Sequence, residues 1–140
     1  VGSPADVVAP DLAGREVRVA DAAGTVRVVD FWASWCEPCR EQLPFLDDLA
    51  RAHGARGLRV YAVAFDEERA QVEAFLSATP VSFPVLWDQG GARHSELFGV
   101  RRLPTTLLVD RAGTVRSVHL GFDAAEGERL RAEVERLLSE

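Results

Sequence analysis

Apolar positions recur along this chain in three rhythms, and each predicts a different element. Residues 16–20 alternate with period two, as a half-exposed strand does. Residues 25–33 and 58–65 are near-continuous apolar runs, suited to strands covered on both faces of a sheet. Shorter strands are expected at 84–87, 105–110 and 114–120, the last two joined by the tight turn Arg111-Ala112-Gly113. Helical spacing appears at 67–78, with Val72, Phe75 and Leu76 inward, and briefly at 92–98, closed by Gly99. It returns at 124–138, with Leu130, Val134, Leu137 and Leu138 on one face. The longest helical stripe, Leu43, Leu46, Leu49 and Ala50, begins just after Cys36. It is expected to end near His53-Gly54, with the glycine as a left-handed cap, and to be kinked by Pro44. Residues 1–9 read as an arm or linker, and residues 10–140 as one domain. Strand–helix alternation followed by a hairpin and a last helix predicts an α/β fold, a mixed sheet with helices on both faces. The right-handed crossover rule sets the N-terminus of the first long helix at the carboxyl edge of the strands, where open α/β sheets place their chemistry.

Both cysteines of the chain, Cys36 and Cys39, fall at that edge, in the stretch VVDFWASWCEPCREQLP. Cys36 lies where strand gives way to helix, so unpaired backbone N–H groups and the helix dipole favour its thiolate. Cys39 follows one turn later on the same side. A disulfide between them closes a very small ring and restrains little of the unfolded chain, which favours thiol–disulfide redox chemistry over a structural staple. Half of a zinc site is the other reading of such a pair, but His53, His94 and His119 are scattered singly and supply no ligand spacing.

Composition narrows the partners. The 140 residues carry a net charge of −6, with sixteen arginines and no lysine. The arginines are interspersed with acids and form no basic stripe, which argues against nucleic acid. No apolar run approaches the length of a membrane span. The chain lacks methionine and starts at Val1, so it reads as a processed or trimmed product, with Val1-Gly2-Ser3-Pro4 as a scar or linker. A membrane would be met only through an N-terminal anchor removed in that processing.

WCEPC after DFWAS, followed downstream by LPTT, resembles the thioredoxin superfamily. The wider pattern of APDL, GREV, FWASWCEPC, an inserted helix and strand, FPVLWD, FGVRRLPTTLLVD and a late glycine resembles the TlpA/ResA-like thiol–disulfide oxidoreductases, from about Pro10 to the end. The resemblance implies a thioredoxin-like fold with an N-terminal β extension. It implies Cys36 as attacking thiolate, Cys39 as resolving thiol, Trp35 shielding the pair and Pro38 stiffening the turn, with Glu37 beside them. It makes Pro104 a cis-proline facing the dithiol, where composition alone would leave an ordinary trans loop proline. Leu103 would then offer its backbone to a bound peptide, and Gly121 would line the groove.

Two positions depart from that pattern. TlpA/ResA-like chains usually carry Glu two residues before the helix proline; here the residue is Gln42. Glu41 is one position early, and one position turns a helical side chain by about 100°. Those chains often have Asn six residues before the first cysteine, where this chain has Asp30 and thioredoxin itself has a buried Asp. Within Val28-Val29-Asp30-Phe31-Trp32, Asp30 is either a buried carboxyl that takes the proton of Cys39 through a water, or a strand residue bonded to backbone or solvent. Phe31, Trp32, Phe65 and Trp87 are expected as packing, and His94 and His119 as surface or satisfied. Arg101 and Arg102, just before Leu103, either balance Glu37 and Glu41 or attract an acidic partner.

The expected activity is dithiol–disulfide exchange with protein partners: a disulfide substrate, reduced, and a dithiol reductant that regenerates the enzyme. No cofactor or metal is called for, and a monomer is expected. The resemblance implies a periplasmic or membrane-anchored bacterial protein, with apocytochrome c among the possible substrates; a cytoplasmic location stays open. The alternatives are a peroxiredoxin-type thiol peroxidase, whose motif Trp35 before Cys36 does not match, and a module carrying Cu(I) on the dithiol.

Overall fold

The computed structural model describes residues 1–140. In chain order the elements are β1 (Val8–Pro10), β2 (Glu16–Arg18), β3 (Val26–Trp32), α1 (Glu37–His53), β4 (Leu58–Ala64), α2 (Arg69–Ala78), β5 (Val85–Trp87), α3 (His94–Leu97), β6 (Thr105–Val109), β7 (Val115–Leu120) and α4 (Ala124–Leu138). Five strands form the central sheet in the order β5-β4-β3-β6-β7. β3, β4 and β5 run parallel, while β6 and β7 are antiparallel to their neighbours.

β3 is buried along its whole length, as its unbroken apolar run requires. Val26, Val28 and Trp32 join a core with Leu43, Leu46 and Leu49 of α1, Val72 of α2, and Leu130 and Val134 of α4. Val29 and Phe31 point into a second core with Val63, Leu107 and Val109. Three helices thus cover one face. The other is covered by the short α3 and by the N-terminal segment.

That segment corrects the expectation of a free arm. Ala5, Val7 and Ala9 are buried in the second core. β1 pairs with β2, and Gly2, Ser3 and Ala5 bond to Val115 and Gly113 beyond β6. A short segment interrupted by Pro4 and Pro10 shows no usable period, and its partners lie about a hundred residues downstream. The end of α1 is a second correction. Gly54 is right-handed (φ −55°), and the chain continues through a 3-10 turn to Gly57, which holds the left-handed position (φ 99°). The assigned helix continues across Pro44.

The packed N-terminus makes a direct prediction. Val7→Ala removes two buried methyl groups and should cost about 2 kcal/mol, read as a lower urea midpoint. A free arm would leave the midpoint unchanged.

Candidate active site

The site forms where β3 ends. Trp32 accepts a bond from the Phe65 amide, and the chain then turns through Ala33, Ser34 and Trp35 to Cys36. Asp66, fully buried at the end of β4, anchors the turn. Its carboxylate accepts from both the amide and the hydroxyl of Ser34, and its carbonyl accepts from the Trp87 indole at 2.8 Å. Asp66 was not singled out from sequence, because its partner lies 32 residues away. Its place at the carboxyl end of a buried strand was the available signal.

Cys36 is the N-cap of α1, and the amide of Cys39 points at its sulfur at 3.4 Å. The two cysteines form a disulfide with Cα atoms 5.3 Å apart. Cys36 keeps 6% of its surface exposed and Cys39 none, so of the two only Cys36 reaches the surface. Pro38 falls in the first turn, where its missing N–H costs no helical bond. Glu37 stands exposed beside Cys36.

Leu103–Pro104 is a cis peptide. The register pairs Phe31 with Thr105 and Asp30 with Thr106, which sets Pro104 opposite Trp32, at the edge where α1 begins. Gly121 backs this loop: its amide donates to the Pro104 carbonyl at 2.8 Å, and at φ 75° a Cβ would meet the Arg102 guanidinium. Trp35, 68% exposed, lines a groove of about 430 Å³ with Phe65, Leu103, Arg101, Arg102 and Glu67.

Asp30, in the middle of β3, is wholly buried. Its Oδ1 accepts from the Thr106 hydroxyl at 2.9 Å, and its Oδ2 has no partner. The carboxyl is therefore half-paired, where the sequence led us to expect either no partner or a backbone one. Burial pushes its pKa up to about 8, and the Thr106 bond offsets only part of that shift. Gln42 is also buried, on the inner face of α1, and its amide donates to Thr106 Oγ1 at 3.0 Å. Glu41 is exposed, as one helical step requires. His94 and His119 are both satisfied, against Asp88 at 2.9 Å and Glu133 at 2.8 Å. No group of three or more His, Cys, Asp or Glu side chains gathers as a metal site.

The AhpC/TSA family matches residues 1–118. The chain belongs to that family. Over 122 residues it is 35% identical to the thiol-disulfide oxidoreductase ResA of Geobacillus thermodenitrificans (strain NG80-2), covering 86% of this chain and 70% of that protein. Among solved structures it is similar to a thiol:disulfide interchange protein DsbE from Chlorobium tepidum, with 35% identity, a TM-score of 0.92, and 98% and 96% of the two chains covered. It is also similar to the pneumococcal exposed lipoprotein thioredoxin Etrx1 of Streptococcus pneumoniae strain TIGR4, with 27% identity, a TM-score of 0.78, and 95% and 100% covered. The TlpA/ResA-like resemblance holds, the fold is thioredoxin-like, and this AhpC/TSA member is a thiol–disulfide oxidoreductase. Such enzymes act on protein substrates with redox partners. The relatives do not favour the peroxidase or the copper carrier.

The buried carboxyl has a consequence for stability. With a folded pKa of about 8 against 3.8 for the free group, the native state keeps a proton that the unfolded chain has lost. Stability contributed by this group is therefore full at acid pH and falls as pH rises through that window. At neutral pH the loss is on the order of 4 kcal/mol. Asp30→Asn should stabilise the fold at neutral pH by about 2 kcal/mol or more, read as a higher denaturation midpoint, with the gain shrinking toward pH 4. A less stable variant would make Asp30 a structural hydrogen-bonding residue and end its reading as a proton acceptor.

Proposed function

We propose that this oxidoreductase reduces disulfides in exported proteins, with Asp30 as the proton acceptor for Cys39. The observation that carries the mechanism is a half-paired buried carboxyl linked through Thr106 to Gln42 on the inner face of α1, the helix whose first turn carries the dithiol. The Cys36 thiolate attacks a substrate disulfide. A bond forms between Cys36 and one substrate sulfur, and the other substrate sulfur leaves as thiolate. In molecules whose Asp30 is ionised, Cys39 then gives its proton to that carboxylate and attacks Cys36. The second substrate sulfur leaves, and two electrons have passed from the protein dithiol to the substrate. Asp30 returns its proton to water or to a departing thiolate, and an external dithiol reduces Cys36–Cys39 for the next cycle.

The groove between Trp35 and Leu103 supports a substrate strand lying against the cis-proline loop, with the Leu103 backbone as its partner. Export is supported by similarity to ResA and to an exposed lipoprotein thioredoxin. The resemblance extends it to a periplasmic or membrane-anchored protein, with apocytochrome c among the substrates it implies.

Two measurements test this. Cys39→Ser, expressed in the exported compartment, should accumulate mixed disulfides through Cys36, while Cys36→Ser should trap none; the reverse pattern would exchange the two roles. Equilibration with glutathione should give a reducing potential. The helix N-terminus favours the Cys36 thiolate, but the neighbouring Glu37 carboxylate opposes it. The potential should therefore lie nearer to about −270 mV than to about −120 mV. A value at the oxidising end would overturn the reductant reading.

A further inference from the structure

Between α1 and the sheet runs a buried chain of three side chains that does not touch solvent: Gln42 on α1, Thr106 on β6 and Asp30 on β3. Gln42 Nε2 donates to Thr106 Oγ1 at 3.0 Å, and Thr106 Oγ1 donates to Asp30 Oδ1 at 2.9 Å. A hydroxyl has one hydrogen. With an amide N–H aimed at its oxygen, Thr106 can send that hydrogen only to Asp30. Asp30 Oδ1 is therefore an acceptor whether the carboxyl is charged or neutral. When Asp30 is protonated, the proton must sit on Oδ2, the oxygen that no protein group engages.

We propose that Gln42 and Thr106 are positioning residues for disulfide exchange: acting through Asp30, they hold its exchangeable proton on Oδ2, the one oxygen free to trade it with Cys39. The proposal rests on Asp30 as the proton acceptor. Cys39 precedes Gln42 by three positions, so both lie on the α1 face that meets the sheet. Asp30 pairs in register with Ala62 of β4 and Thr106 of β6, Thr106 links it to Gln42 of α1, and no charged side chain contributes to its shift. The Thr106 hydroxyl makes the one hydrogen bond to the carboxyl, and it sets which oxygen titrates. A glutamine at 42 supplies the donor that sets its direction, which an ionised acid there could not.

The test is the pH dependence of single-turnover oxidation of the reduced protein by glutathione disulfide, paired with carbon-13 titration of the Asp30 carboxyl. Asp30→Asn should abolish the limb near pH 8. If it does not, the acceptor reading fails, and this proposal with it. Provided the limb belongs to Asp30, Thr106→Val, which removes the hydrogen bond to the carboxylate, should move it upward by about one pH unit. Thr106→Ser, which keeps the hydroxyl, should leave it in place. Gln42→Leu spares Thr106 but frees its hydroxyl to accept from the protonated acid, and should move the limb the same way by less. It stands in if Thr106→Val does not fold. An unmoved limb in Thr106→Val, or in Gln42→Leu where that variant stands in, would overturn the positioning role. So would a serine variant that shifts as far as the valine one, and either result would leave Asp30 as acceptor intact.

Discussion

A strand buried on both faces has no solvent-facing position to offer a polar residue, and β3 carries two. Arg27 and Asp30 are both inside, and the site depends on how differently each is accommodated. Arg27 is near the start of the strand, where carbonyls are free. Its guanidinium donates to Val19 at 3.2 Å, Asp110 at 2.9 Å and Thr25 at 3.2 Å, so its charge is kept and solvated by the backbone. Asp30 sits mid-strand, where both backbone neighbours already serve the ladders to β4 and β6. Only side chains can reach it, and Thr106 alone does. With that single partner, burial raises the pKa of the carboxyl and favours its neutral form.

The dithiol is fixed by the same strand from its other end. Two residues before Cys36, Ser34 is tied to Asp66, and the Trp87 indole ties Asp66 in turn to the inserted strand β5. The turn that presents Cys36 to solvent is therefore held by three parallel strands, while the cis-proline loop arrives from the antiparallel side on β6. The groove is lined by residues from both halves of the sheet, and neither half supplies it alone.

Local features of this arrangement were legible in the sequence, and paired features were not. Cys36 at a strand-to-helix turn, the inner face of α4 and the β6–β7 hairpin all follow from periods and spacings within a few residues. Asp30 could be placed inside because its neighbours are apolar. Its partner could not be named, since Thr106 lies 76 positions away and looks like any strand threonine. Asp66 was missed for the same reason. The N-terminal segment failed in the other direction: three residues of β1 carry too short a pattern to be read, and their burial is decided by a sheet completed only at Val115. Gly54 and Gly57 were confused because both glycines suit a cap, and only the extra 3-10 turn separates them.

For Asp30 as the proposed acceptor, the cost of its burial and its fitness for that role are one quantity seen twice. A proton passing from an ordinary thiol, near pKa ~8.5, to a solvated carboxylate near ~3.9 moves uphill by more than four units, or about 6 kcal/mol, before any sulfur has reacted. Against a carboxyl held at about 8 the same transfer is nearly level, within about 1 kcal/mol. A tighter network around Oδ2 would recover stability by favouring the charged form, and would return the acceptor toward a value useless to a thiol. The orphaned oxygen is therefore the state the proposed mechanism requires, and the single hydroxyl on Oδ1 offsets only part of the shift that burial imposes.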